Sequence, residues 1–350
     1  MSKMQIMVLT LVSLLLVGTF MSSSSAIGKE VLVYAAFDEP TLRAIAEGFT
    51  DETGIDVKWV RGGGGEMATR IRAEAPNPKA DVYLGGSVDL HGVLAEEGLL
   101  VSLDPPNAEA IPAQFKDPEG RWFGWYTGVW GYVINTELLA ESGLAAPKTW
   151  EDILDPKWQG HVMSGHPATC GGGYDFLRSQ IFRFAHLAPL FGFKEEEAME
   201  VGEEVAWRWF EAFDKNVVAF NTACPETIVL VAQGQAIIGL SWANDILVWM
   251  GKGYPIDLVI PPYTAYAPGG ISLIKGCKHP DAGAKFVNFV LSVESQEINA
   301  KVYRYPLNPG VPVPEGTPLW ESLTIVPYDT HWAAVNKDRL LDEWERRIGR

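Results

Sequence analysis

The chain has 350 residues and a formal net charge of −16. An excess of that sign repels a polyphosphate, so the composition argues against a nucleic-acid partner. The length exceeds what a single hydrophobic core usually organises, which favours two domains, and the three cysteines, Cys170, Cys224 and Cys277, make no CxxC pair.

Residues 1–26 read as an export signal. Lys3 precedes the apolar run IMVLTLVSLLLVGTF, and the small residues of MSSSSA follow it. Thr10, Ser13 and Thr19 interrupt the run, whereas a retained spanning helix wants ~20 apolar residues. No cysteine stands near the cleavage point to carry a lipid. The mature chain is therefore expected to begin near residue 27 and to be a soluble periplasmic or extracellular protein. In such an oxidising compartment Cys170 and Cys224 are candidates for a disulfide, with one thiol left over; both remaining free is the other possibility.

Beyond the signal, short apolar runs alternate with amphipathic stretches, the grammar of an α/β chain. VLVYAAF (31–37) is strand-like, and PTLRAIAEGFTDETG sets Leu42, Ile45, Ala46 and Phe49 at helical spacing before Gly54 ends the helix. IDVKWV (55–60) is a second strand, RGGGGE a loop and MATRIRAEA a helix; DVYLGG (81–86) and SVDLHGVLAEEG repeat the unit. Such successive strand–loop–helix units predict a mainly parallel sheet. Further strands are expected in HVMSG (161–165), VVAF (217–220), AIIGLSWA (236–243), IDLVIPP (256–262) and GGISLIKG (269–276). Helices are expected in YDFLRSQIFRFAHLA, TIVLVAQG, NDILVWMGKG and PDAGAKFVNFVLS. The tail WAAVNKDRLLDEWERRIGR reads as one amphipathic helix docked on the surface.

The loops RGGGGE, GGSVD, SGHPATCGGG, NTACPET and WAND consist of small or capping residues. In a parallel sheet such loops share the C-terminal edge of the strands, where open α/β sheets bind ligands. Each helix that follows presents unpaired N–H groups and roughly half a positive charge, which holds an anion without Lys or Arg. The candidate contacts on this ground are Gly64, Gly65 and Glu66, then Gly86 and Ser87, then Thr169, Cys170, Gly171 and Gly172. Thr222, Asn244 and Asp245 join them, with Phe37 at the end of the first strand. The same residues also suit tight turns and N-caps of their own helices. Of the tryptophans Trp122, Trp125, Trp130 and Trp242 near this edge, Trp130 and Trp242 are the candidates to stack on a ligand; core packing is the alternative.

Four stretches carry a resemblance by their order and spacing: EGFTDETGIDVKWVRGGGGEMATRIRAEAPNPKADVYLGG, GVWGYVINTELL, PKTWEDILDPKWQGHVMS and GISLIKGCKHPDAGAKFVNFVLSVESQ. They resemble the extracellular solute-binding proteins of bacterial ABC importers, in the branch with ferric-iron, aminoethylphosphonate and sugar-phosphate receptors. The likeness runs from about residue 30 to about 315. It implies a two-lobed α/β fold of the type II periplasmic-binding-protein kind, with two crossing strands and a ligand gripped in the cleft. It implies residues 27–132 and 268–320 in the first lobe, 133–267 in the second, a tail over 321–350, and hinges near Tyr126–Asn135 and Pro261–Gly269. It further implies delivery to a membrane permease, no cofactor and no chemistry on the ligand; a monomer is expected.

Iron receptors of that family hold the metal with two adjacent tyrosines at the helix start after a strand like IIGLSWA. Here Asn244 and Asp245 stand there, which argues against ferric iron unless Tyr254, Tyr263 or Tyr266 supplies a phenolate. The family's anion loop corresponds to Thr169, Cys170, Gly171 and Gly172, and Gly62 to Gly65 are expected to admit the same ligand from the other lobe. The expected solute is thus a small anion, such as a phosphonate or a sugar phosphate, with Asp245 or Glu66 available to an amine at its far end. Arg304 in YRYPLNPG is a further candidate for the anion. Iron held without a tyrosine pair is the alternative. An exported metal-dependent hydrolase is a second one, with His161, His166 and Cys170 on zinc and Glu66 or Asp245 as base. Against it, the spacing fits no zinc motif, and neither a GxSxG elbow nor a P-loop lysine occurs.

Overall fold

The computed structural model describes residues 30–349; the expected export signal lies outside the described residues. The first half opens with β1 (Glu30–Ala36), α1 (Glu39–Thr53), β2 (Asp56–Arg61), α2 (Gly64–Glu74), β3 (Val82–Ser87) and α3 (Val88–Glu96). Asp38 starts α1 by accepting the Thr41 N–H at 3.0 Å, and Gly54 ends it at φ 69°. β1 runs parallel to both β2 and β3. Its residues alternate between two cores: Val31, Val33 and Ala35 face Leu42, Phe49 and Phe286, while Tyr34 faces Met67, Ile71 and Leu94. A period of two with helices on both faces is what makes this lobe a three-layer sandwich.

The long strand β4 (Phe123–Asn135) passes between the halves. Its first part pairs antiparallel with β9 (Tyr266–Leu273), which in turn pairs antiparallel with β3. From Trp130 onward β4 pairs antiparallel with β7 (Ile238–Trp242) and β8 (Ile256–Val259). The expected parallel order therefore holds for the successive strands only, and the crossing strands enter each sheet against it. In the second half follow α4 (Thr136–Ser142), β5 (Val162–Gly165), α5 (Gly171–Leu187), α6 (Ala198–Asp214), β6 (Val217–Asn221), α7 (Cys224–Ala232) and, after β7, α8 (Ala243–Gly251). β5 is parallel to β6 and β7, and the strand order is β2-β1-β3-β9-β4-β7-β5-β6. Alternation again separates two cores, Tyr132 and Ile134 on one face and Val133 on the other. Then α9 (Pro280–Val290), α10 (Val293–Ala300) and the short β10 (Tyr305–Pro306) return to the first lobe.

Two readings of the sequence need amending. The helix α6 has no counterpart among the expected elements; it packs so close on α5 that a Cβ at Gly202 would sit 2.4 Å from the Ala185 nitrogen. The tail is not one surface helix but two, α11 (Thr330–Val335) and α12 (Lys337–Arg347), which meet at Asn336. Leu340 and Trp344 of α12 are buried in the second lobe's core, so the tail is part of the fold.

Candidate functional site

A cleft of about 590 Å³ lies between the two sheets. On the first-lobe side it is walled by Gly64 and Gly65, the first two residues of α2, and by Gly86 and Ser87 at the turn into α3. Opposite stand Gly171 and Gly172 at the start of α5, and Trp242, Asn244 and Asp245 at the start of α8. Tyr126 and Gly128 of β4 and Pro268 and Gly269 of β9 form the floor. Sequence-distant strand-to-helix turns thus converge because β1 to β3 run parallel within one lobe, β5 to β7 run parallel within the other, and the two sets run in opposite directions, C-terminal ends toward the cleft. Each helix brings the unpaired N–H groups of its first turn to the cleft.

The glycines of this wall divide by cause. Gly86 has φ 71°, and a Cβ there would meet the Tyr83 hydroxyl at 2.5 Å. At Gly172 a Cβ would lie 2.7 Å from Trp130 and 2.8 Å from Trp242 Nε1, and at Gly64 one would lie 2.9 Å from Leu90. Folding alone demands Gly86 and Gly172, whereas at Gly64 the end of the Leu90 side chain would have to move aside. Gly65 and Gly171 are different: each has an ordinary φ, and a Cβ would meet no atom within 4 Å. Both stand in a first helical turn, where Gly is a poorer choice than Ala. Nothing inside the protein accounts for them, and both face the cleft.

Charged groups sit at the cleft's edge. Arg304 lines it, held by an ion pair with Asp38 at 2.9 Å and stacked 4.5 Å over the Phe37 ring. Burial raises the Asp38 carboxyl, but Arg304 and the Thr41 cap outweigh it and hold the group below the usual range. Asp245 is pushed upward by burial, with Arg304 acting against the shift; Asn244 Nδ2 donates to its Oδ1 at 2.7 Å. No cation lies within ion-pair distance of Asp245 among the described residues. Farther along, Asp89 of α3 and Asp175 of α5 flank Arg178 at 3.6 and 3.0 Å, and the Tyr328 hydroxyl donates to Asp89 at 3.2 Å. Burial lifts both carboxyls, Asp175 to about 6.

The remaining expected residues stand off the wall. Trp130 is fully buried, stacked on Phe176 and tilted against Trp242 at 5.4 Å, so it supports Trp242 and meets no solute. Phe37 is buried beneath Arg304. Glu66 turns back on its own helix and accepts the Gly63 N–H, the capping alternative. Thr169 and Thr222 are exposed, and Thr222 donates to Glu226. Cys170 is bonded to Cys224, with the Cα atoms 5.7 Å apart, which removes it from the supposed zinc trio. The disulfide ties the starts of α5 and α7 together. Tyr254, Tyr263 and Tyr266 do not line the cleft: Tyr254 packs on Trp249, Tyr263 near His186, and Tyr266 against Trp320 and Tyr328. Among the described residues no three His, Cys, Asp or Glu side chains gather as a metal site.

Sequence reasoning missed Tyr126, Gly128, Asp175 and Lys337 on the cleft wall. Asp89 lies within the loop GGSVD but is not among the expected contacts. Lys337 carried no local signal at all.

Two α/β halves with a polar cleft walled by helix starts between them define a receptor for a small solute. The chain belongs to the bacterial extracellular solute-binding protein family, whose model matches residues 36–297. Among curated relatives, a Haemophilus influenzae protein of uncharacterised role is 29% identical over 292 residues, covering 82% of this chain and 80% of that one. A Salmonella typhimurium putative 2-aminoethylphosphonate-binding periplasmic protein is 26% identical, covering 71% and 68%. Among solved structures, the periplasmic binding protein AfuA of Actinobacillus pleuropneumoniae, with exogenous fructose-6-phosphate bound, matches with a TM-score of 0.80. It is 25% identical, with 91% of this chain and 98% of that one covered.

Proposed function

We propose that this chain is the exported receptor of an ABC importer and captures a small anionic solute bearing a phosphate or phosphonate group. The observation that carries the reading is the pair Gly65 and Gly171. They stand on opposite sides of the cleft, neither is required by packing or backbone conformation, and each leaves a first-turn N–H open to a ligand. An anion between them would meet two helix starts at once, and Arg304 would add a guanidinium. A solute touching both lobes favours the closed state over the open one, which contact with a single lobe cannot do.

Asp245 suits the far end of such a solute. A desolvated carboxylate with only an amide partner is best matched by an amine or by hydroxyls. The named ligands of the relatives, aminoethylphosphonate and fructose-6-phosphate, have that polarity, an anion at one end and an amine or hydroxyls at the other. Residues 27–132 with 268–320 and residues 133–267 are the lobes we assign, with hinges in β4 and around β9. No helix among the described residues is long and apolar enough to cross a membrane. The disulfide suits an oxidising compartment, so we place the mature chain in the periplasm or outside the cell, as a monomer that docks on a permease.

Titration calorimetry of the mature chain with 2-aminoethylphosphonate, fructose-6-phosphate, glycerol-3-phosphate and ferric citrate tests the reading. Heat is expected with a phosphorus compound. Heat with ferric citrate alone would overturn it in favour of iron.

A further inference from the structure

Residues beyond the family match include a tail that crosses the cleft's end. Its entry is laddered to the chain before β9: the Thr264 N–H donates to Thr324 O, and the Val326 N–H to Thr264 O. Tyr328 then reaches Asp89 on the first lobe, while Ala333 accepts the Tyr174 hydroxyl on the second. α12 is anchored by Leu340 and Trp344 in the second lobe and by Arg339 on Glu203 at 2.6 Å. Held between these anchors, Ala334 and Lys337 line the cleft.

Lys337 is the residue out of place. It occupies the first position of α12, where the helix dipole disfavours a cation, and Asn336 before it makes no side-chain cap. Its ammonium lies 5.2 Å from the Tyr174 ring centre, and no carboxylate comes within ion-pair distance of it among the described residues. A cation at a helix start in a cleft wall, with an aromatic ring as its close partner and no paired carboxylate, points outward.

We infer that Lys337 contacts the bound solute's anionic group, so that the tail is a third wall of the site and sets its preference for charge. This rests on the anion reading above. The rival role for Lys337 is to offset the carboxylates of Asp89 and Asp175, whose charge it opposes.

The test compares wild type, Lys337→Met, Lys337→Arg and the control Lys301→Met by calorimetry with 2-aminoethylphosphonate and fructose-6-phosphate, beside thermal melts. Losing one charge-assisted hydrogen bond should weaken Lys337→Met by roughly ten- to a hundred-fold. Lys337→Arg should retain most of the affinity, and Lys301→Met all of it. Unchanged affinity in Lys337→Met with a lowered melting temperature would leave the offsetting role and overturn the inference. A wild type that binds no phosphorus compound, glycerol-3-phosphate included, would overturn the anion reading, and this inference with it.

Discussion

Substituting Gly65 and Gly171 by alanine separates a folding role from a binding one. Neither has a positive φ, and neither Cβ would meet an atom within 4 Å. Alanine there restricts the unfolded chain and improves the helix start, worth about 0.4–1 kcal/mol. For a chain of this size that is a rise of about 0.6–1.5 °C in melting temperature for each substitution. On the anion reading the same methyl crowds the space in front of a first-turn N–H. Losing a hydrogen bond to a charged group weakens binding by roughly 10- to 100-fold. Gly172→Ala is the opposite control: its methyl would press on Trp130 at 2.7 Å and Trp242 at 2.8 Å. Such overpacking destabilises by about 1–3 kcal/mol. Differential scanning calorimetry with titration of whichever phosphorus compound the parent binds reads both quantities. Wild-type affinity in both Gly65→Ala and Gly171→Ala would refute the reasoning, because the glycines would then be idle.

Arg304→Gln should weaken anion binding by roughly tenfold or more, while Lys58→Gln on an exposed pair leaves it unchanged; equal affinities would remove Arg304 from the site. Removing the disulfide by Cys170→Ser with Cys224→Ser frees a segment of 54 residues, worth about 4 kcal/mol at most in the chain-entropy account, so the melting temperature should fall, and a melt unchanged by the double variant would contradict it. Asp175 titrates upward on folding, to about 6 against about 3.9 unfolded. The folded state therefore binds more protons between those values, and stability should rise as pH falls from 7 to 5. Asp38, held low, acts only below that window. Denaturant midpoints should show the gain in wild type and a smaller one in Asp175→Asn, because Asp89 and Asp245 are raised as well; parallel pH profiles would contradict the assignment. Trp242 should report ligand by a fluorescence change that vanishes in Trp242→Phe, whereas a persisting change would point to another tryptophan.

Periodicity and caps are local properties, and there the chain alone was informative. The short apolar run VLVYAAF marks β1, the spacing of Leu42, Ile45 and Phe49 marks α1, and Gly54 ends it in the left-handed conformation. Small-residue turns after the strands identified Gly64, Gly65, Gly86, Ser87, Gly171, Gly172, Trp242, Asn244 and Asp245, all of which line the cleft. Which member of a turn faces outward is decided by packing. Trp130 and Trp242 look alike as letters, yet neighbours on all sides bury the one and leave the other half-open. Asp89, Arg178 and Tyr328 meet across 239 residues of sequence only because separate elements pack there. Lys337 reaches the cleft for the same reason: Leu340 and Trp344 find their core in the second lobe, and the tail must cross the opening to get there.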